Sequence, residues 1–130
     1  MSGAATSPLE VYYRALDDGD PDGAAAVFSD DTVYIRPALP GTPNAGGLEF
    51  VHGRQAVLEY FRERGKKPFR HRITASATDG AAWFVEGVAG MEGEPPTHVF
   101  LVHATIDPGG LITRYLAVMS EAPAEFGAVV

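Results

Sequence analysis

From Phe69 to the end of "LITRYLAVM" the apolar residues recur with a period of two, so that half of the chain reads as β-structure. "FRHRITASAT" and "AWFVEGVAG" are joined through Thr78-Asp79-Gly80-Ala81, and "THVFLVHATI" and "LITRYLAVM" through "DPGG". Asp-Gly between alternating runs is a two-residue hairpin signal, and two antiparallel hairpins are expected. The first half has the other period. Leu9, Tyr12, Tyr13 and Leu16 form one face of a helix, with Pro8 in its first turn and Gly19 at its end. Asp20-Pro21 opens a second helix, "PDGAAAVFSD", with Val27 and Phe28 as its apolar end. "TVYIRP" is a short strand stopped by Pro37, and "ALPGTPNAGGLEF" reads as a loop, a candidate rim or lid. "GRQAVLEYFRERG" is a third helix, with Ala56, Val57, Tyr60, Phe61 and Arg64 on one face and Gly65 as terminator. Helices followed by long antiparallel strands make an α+β fold, a curved sheet covered on one face by helices.

At 130 residues this is one domain, expected over residues 8–122, with tails at 1–7 and 123–130. "MSGAATSP" lacks the basic start and apolar stretch of a signal peptide, and no run approaches the roughly 18 apolar residues of a membrane span. The net charge of -7 argues against nucleic acid and anionic membranes as partners. A cytoplasmic protein handling a small molecule is the expectation. The absence of cysteine removes disulfides, thiol nucleophiles and Cys-based metal sites. No glycine-rich phosphate loop runs from a strand into a helix, no G-x-S-x-G is present, and "GTPNAGG" lacks a lysine and opens no helix. His52 reads as a loop contact, and no two histidines have metal-ligand spacing, so neither metal nor cofactor is expected.

Taking Asp79-Gly80 as the central turn residues puts Ala75 opposite Phe84, Ile73 opposite Glu86 and His71 opposite Val88. His71, Phe84 and Glu86 then share the more apolar face, while Arg70, Arg72, Trp83 and Val85 take the other. Two ionisable groups on an apolar face cost about 1–3 kcal/mol each unless paired, so His71 and Glu86 are expected to face a pocket. The second hairpin gives one face with His98, Phe100, Val102, Ala104, Tyr115, Ala117 and Met119. Its other face holds Val99, Leu101, His103, Ile112, Arg114, Leu116 and Val118. Both are apolar enough to be covered, one by helices and the other by a second copy, so a homodimer through the outer sheet face is expected.

The strings "YYRALDDGDPDGAAAVFSDDTVYIRP", "HGRQAVLEYF", "RHRITASATDG" and "IDPGGLITRYLAVM" resemble the SnoaL-like and ketosteroid-isomerase-like branch of the NTF2-like superfamily, over nearly all of residues 8–121. The resemblance implies a cone (a cystatin-like α+β roll) whose strongly bent, mostly antiparallel sheet wraps three N-terminal helices around a deep pocket for a small hydrophobic metabolite. Isomerases, cyclases, dehydratases, hydrolases and non-catalytic binders all share that fold.

Against the ketosteroid isomerase pattern, the oxyanion-donating tyrosine falls at Tyr12. The general-base aspartate falls at Arg36, and the second oxyanion donor at Val102. An arginine cannot shuttle that proton, so the isomerase mechanism is not retained. Against the dehydratase and dehydrochlorinase relatives, a pocket histidine backed by an aspartate at the end of the first helix falls at His71 and Asp17. The bland reading of Asp17 is a solvated charge in "LDDGD". Polyketide-cyclase relatives use a carboxylate or histidine base that His71 could supply, whereas the epoxide-hydrolase Asp-Arg-Asp group has only Arg36 and Glu86 as partial counterparts. The resulting expectation is cofactor-independent isomerisation, dehydration or cyclisation, with His71, Asp17 and Tyr12 as the catalytic set. Arg36, Glu86, Phe84, Val102, Tyr115 and Met119 are expected to contact a carbonyl-containing substrate. The alternatives are a non-catalytic ligand-binding or assembly module and an epoxide-hydrolase-like variant.

Overall fold

The computed structural model describes residues 7–38, 41–123 and 125–126. Helix α1, Pro8–Asp17, is capped by Ser7, whose hydroxyl accepts from the Glu10 N–H at 3.2 Å. It buries Leu9, Tyr12, Tyr13 and Leu16, the face its periodicity predicts, and Asp17 as well. Helix α2 covers only Pro21–Ala25. Val27 and Phe28 are therefore not its apolar end: Phe28 opens strand β1, Phe28–Pro37, and lies opposite Ile112 in the sheet. Full burial of Phe28 against distant parts of the chain overrides the helical propensity of the alanines before it. The expected loop also ends early, because Leu48–His52 forms β2 and pairs antiparallel with β1. Leu39 and Pro40 of that loop lie outside the described residues.

Helix α3, Arg54–Arg64, buries Val57 and Phe61 and stops at Gly65, whose φ of 65° suits a residue without Cβ. The two hairpins follow: β3 Phe69–Asp79, β4 Ala82–Met91, β5 His98–Ile106 and β6 Ile112–Glu121. One six-stranded sheet results, in the order β2-β1-β6-β5-β4-β3, antiparallel except where β1 meets β6. Its curved inner face carries the core against the helices, the α+β arrangement that the element order leads one to expect. Phe100 lies across that face over Gly87, where an added Cβ would come within 2.2 Å of the ring. No helix among the described residues is long and apolar enough to cross a membrane.

The register of β3 with β4 differs from the expected one in two ways. Asp79 pairs with Ala82, so Gly80-Ala81 form the centre of the turn, a shift of two that leaves every side chain on its face. A bulge between Ile73 and Ala75 then shifts the pairing by one, and a shift of one exchanges faces. His71 lies opposite Ala89 on the inner face, while Ala75 lies opposite Glu86 and Ala77 opposite Phe84 on the outer one. Phe84 and Glu86 thus do not share a face with His71. Trp83 and Val85, assigned to the outer side by the simple register, pack on the core instead. A second irregularity, between Thr105 and Ile106, turns Ile112 inward to full burial.

Candidate functional site

Inside the cone lies a cavity of about 700 Å³. The buried Tyr12, Tyr13, Tyr34 and Tyr115 form its floor, and the exposed Glu63, Lys67, Pro68, Met91 and Met119 its rim. His71 and Arg36 are half-buried in its walls.

His71 is held by one carboxylate. Asp17, only 4% exposed at the end of α1, accepts from the His71 backbone N–H at 2.7 Å through one oxygen. Its other oxygen lies 2.7 Å from Nδ1. An ionised carboxylate can only accept there, so in the neutral ring Nδ1 carries the proton and Nε2 is the acceptor. The ring is stacked on Tyr13 (centroids 5.1 Å apart) and edged by Phe69 and Phe100, which fix its plane. His71 also borders a shallower polar cleft lined by Glu10, Arg14, Asp17 and Arg70. The bland reading of Asp17 does not hold: it is buried, while its neighbour Asp18 takes the solvated role, paired with Arg70 at 2.9 Å.

From His71 a row of phenols crosses the floor. Tyr13 and Tyr115 are joined hydroxyl to hydroxyl at 2.6 Å, as are Tyr12 and Tyr34. Tyr34 and Tyr115 are stacked, centroids 4.8 Å apart and 5° from parallel. Burial pushes Tyr12, Tyr13 and Tyr115 well above the ordinary phenol range, and Tyr34 up to about 12. These groups are neutral O–H donors at physiological pH. Beyond Tyr34 comes Tyr60, whose hydroxyl accepts from Arg36 Nη1 and whose ring lies 5.6 Å from the guanidinium carbon. Burial opposes the Arg36 charge, but the Tyr60 and Tyr34 phenols outweigh it and hold the group firmly cationic.

The sequence-predicted residues therefore divide. His71, Asp17, Tyr12, Arg36, Tyr115 and Met119 lie at or directly behind the cavity wall. Val102 is buried on the inner face, between Val85 and Ala117, but does not line the cavity. Phe84 and Glu86 are on the far side of the sheet, because of the bulge in β3. Glu86 cannot be the partner of His71, and it does not form a site with Arg36. Tyr34, Tyr60, Arg64 and Lys67 were missed, although Tyr34 stands two residues before Arg36 in one strand and so shares its face. Among the described residues no cluster of three or more His, Asp or Glu side chains could hold a metal ion.

A SnoaL-like domain matches residues 9–115. The chain belongs to the SnoaL-like family. No curated protein matches this SnoaL-like chain. Its fold is similar to that of an LEH-like epoxide hydrolase from M. tuberculosis: TM-score 0.66, 21% identity, 94% of this chain and 86% of that one. It is similar also to the epoxide hydrolase/cyclase-like enzyme SalBIII, with TM-score 0.63, 20% identity, and 87% and 88% of the two chains covered. An NTF-2 like protein of unknown function from Burkholderia xenovorans LB400 matches over 95% of this chain and 90% of its own, with TM-score 0.63 and 18% identity. At these identities the likeness is one of fold. The SnoaL-like cone thus encloses a buried His–Asp pair, neutral hydroxyls beside it and, at the other end of the row, the Arg36 cation.

Proposed function

We propose that this SnoaL-like protein is a cofactor-independent acid–base enzyme that isomerises, dehydrates or cyclises a small hydrophobic carbonyl compound. The observation that carries the reading is the two-point grip of Asp17 on His71, because it presents Nε2 as a base of defined tautomer and orientation. Nε2 would take the proton from the carbon beside the carbonyl. The oxygen that gains charge would accept from the phenol row, whose O–H groups are held in place and shielded from water. The same ring nitrogen then returns the proton to the product, so no co-reactant is needed. An epoxide-hydrolase-like route has less support, since both Asp17 oxygens are occupied by His71 and Glu86 lies outside the cavity.

The outer face, with Phe84, Leu101 and Val118 about half exposed beside a groove of about 470 Å³, supports the expectation of a homodimer through that face.

The test is solvent-deuterium incorporation into a panel of cyclic ketones, followed by NMR. The wild type is expected to speed exchange above buffer for at least one ketone. His71→Gln should lose about 10²–10⁴-fold of that rate. No acceleration by the wild type, or acceleration that survives the substitution, would overturn the reading.

A further inference from the structure

The protein carries a net charge of -7, yet the cavity wall carries Arg36, Arg64 and Lys67 against a single unpaired acid, Glu63. None of the three cations is in an ion pair among the described residues. Arg36 is the innermost. Of its five N–H donors, Nε donates to the Pro37 carbonyl at 3.0 Å and one on Nη1 to Tyr60. The remaining donors have no protein partner among the described residues. Arg64 spends one donor on the Gly65 carbonyl at 3.2 Å, and Lys67 stands exposed on the rim. The half-buried Arg36 guanidinium, over an aromatic ring, keeps idle donors and has no carboxylate in ion-pair distance among the described residues: Glu49, opposite it on β2, has a buried oxygen without a hydrogen-bond partner and forms no ion pair with it.

The position of Arg36 matters as much as its charge. It lies on β1 and His71 on β3, four strand steps apart in the sheet. At about 4.8 Å per step this is about 19 Å across the strands, to which an offset of about five residues along β3 adds and which the bend of the sheet around the cavity shortens. The apolar Leu16, Phe69, Phe100, Ala117 and Met119 line the space between.

We infer that the substrate is an elongated apolar molecule with a carboxylate at one end, held by Arg36 with Lys67 and Arg64 behind it, and with its reactive carbon at His71. This rests on the acid–base reading for the His71 end only. A carboxylate fits better than a phosphate ester. The planar guanidinium fork matches a carboxylate pair of oxygens, and no glycine-rich loop is present to cradle a phosphate. The nearby C-terminus of α3, with its partial negative charge, also disfavours a doubly charged group.

The test compares 5-phenylvalerate with its neutral isostere 5-phenylvaleramide by calorimetry. The wild type should bind the acid about ten- to a hundredfold more tightly than the amide, as one charge-assisted contact gives. Added salt should narrow the gap. Arg36→Gln should erase the preference while leaving amide affinity in place, which also shows that the cavity is intact. Lys67→Gln, at an exposed rim position that the fold does not need, should reduce it a fewfold. Phenylbutyl phosphate is expected to bind no better than the acid. Equal affinity for acid and amide in the wild type, or a preference that survives both substitutions, overturns the proposal; so does a clear preference for the phosphate. None of these readouts needs turnover. Loss of the preference with ketone exchange intact contradicts the carboxylate alone, and a preference without exchange contradicts the base alone.

Discussion

Phe100 and Leu101 are consecutive residues of β5, yet one is 2% exposed and the other 54%. The two faces of the sheet they belong to differ in kind. On the inner face the polar groups at the His71 end of the cavity are matched: His71 with Asp17, Tyr12 with Tyr34, Tyr13 with Tyr115. On the outer face Glu86 and His103 sit among Phe84, Leu101, Leu116 and Val118, and the Glu86 carboxylate is in no ion pair among the described residues. A fully buried polar group is costly without a partner because water cannot supply one, whereas an exposed one can remain unpaired. Chemistry that depends on a fixed proton position belongs to the first environment.

The comparison can be broken most sharply at its carboxylates. Asp17→Asn should depress ketone exchange by about 10²-fold or more, the range of a general base taken out of action. Glu86→Gln should leave it unchanged, and an equal loss from both would refute the division of the faces. Next come the neighbours on β5. Phe100→Ala is expected to destabilise the fold by about 3–5 kcal/mol, read by denaturant unfolding. Leu101→Ser should stay within about 0.5 kcal/mol for the isolated chain, as surface substitutions do. If Leu101 covers a dimer contact, sedimentation should instead show dissociation.

The smallest effect is a pH dependence. The Tyr34 phenol is raised to about 12, and Tyr12, Tyr13 and Tyr115 are also raised, while the unfolded chain titrates near 10. Between those values the folded state binds more protons than the unfolded one, so stability must fall as pH rises. It should be insensitive to these groups below about pH 9 and decline above about pH 10. Replacing Tyr34 with Phe should flatten that decline. Phenolate absorbance appearing in the folded protein near pH 10 from all the tyrosines would contradict their burial.

Much of this was legible in the residues. The helical face Leu9, Tyr12, Tyr13 and Leu16, the α3 span and the two hairpins follow from periodicity and turn chemistry, which are local. The inner and outer sets on β5 and most of β6 follow from alternation alone. What the sequence does not announce is a bulge. One extra residue near Thr74 moved Phe84 and Glu86 to the outer face and brought Trp83 and Val85 inward, and nothing in "RHRITASAT" marks it. The start of β1 escaped for a related reason: "AAAVFSDD" has no strand period, and Phe28 is recruited by its distant neighbour Ile112. The Asp17–His71 pair was suggested by family resemblance, since no spacing rule links residues 54 apart. The idle cations were in view, but their absence of partners is a property of the fold.

The central claim is that Asp17 sets the tautomer of His71 and thereby keeps Nε2 free as a base. It is tested most directly by long-range ¹H–¹⁵N NMR of the His71 ring in the wild type and in Asp17→Asn. In the wild type the neutral ring should carry its proton on Nδ1, with Nε2 bare. The asparagine has one acceptor oxygen where the carboxylate has two, and the His71 backbone N–H, always a donor, should claim it. Nδ1 then meets the amide NH₂ and must accept, so the proton should move to Nε2. A wild-type ring already protonated on Nε2, or a tautomer that Asp17→Asn leaves unchanged, would contradict the account.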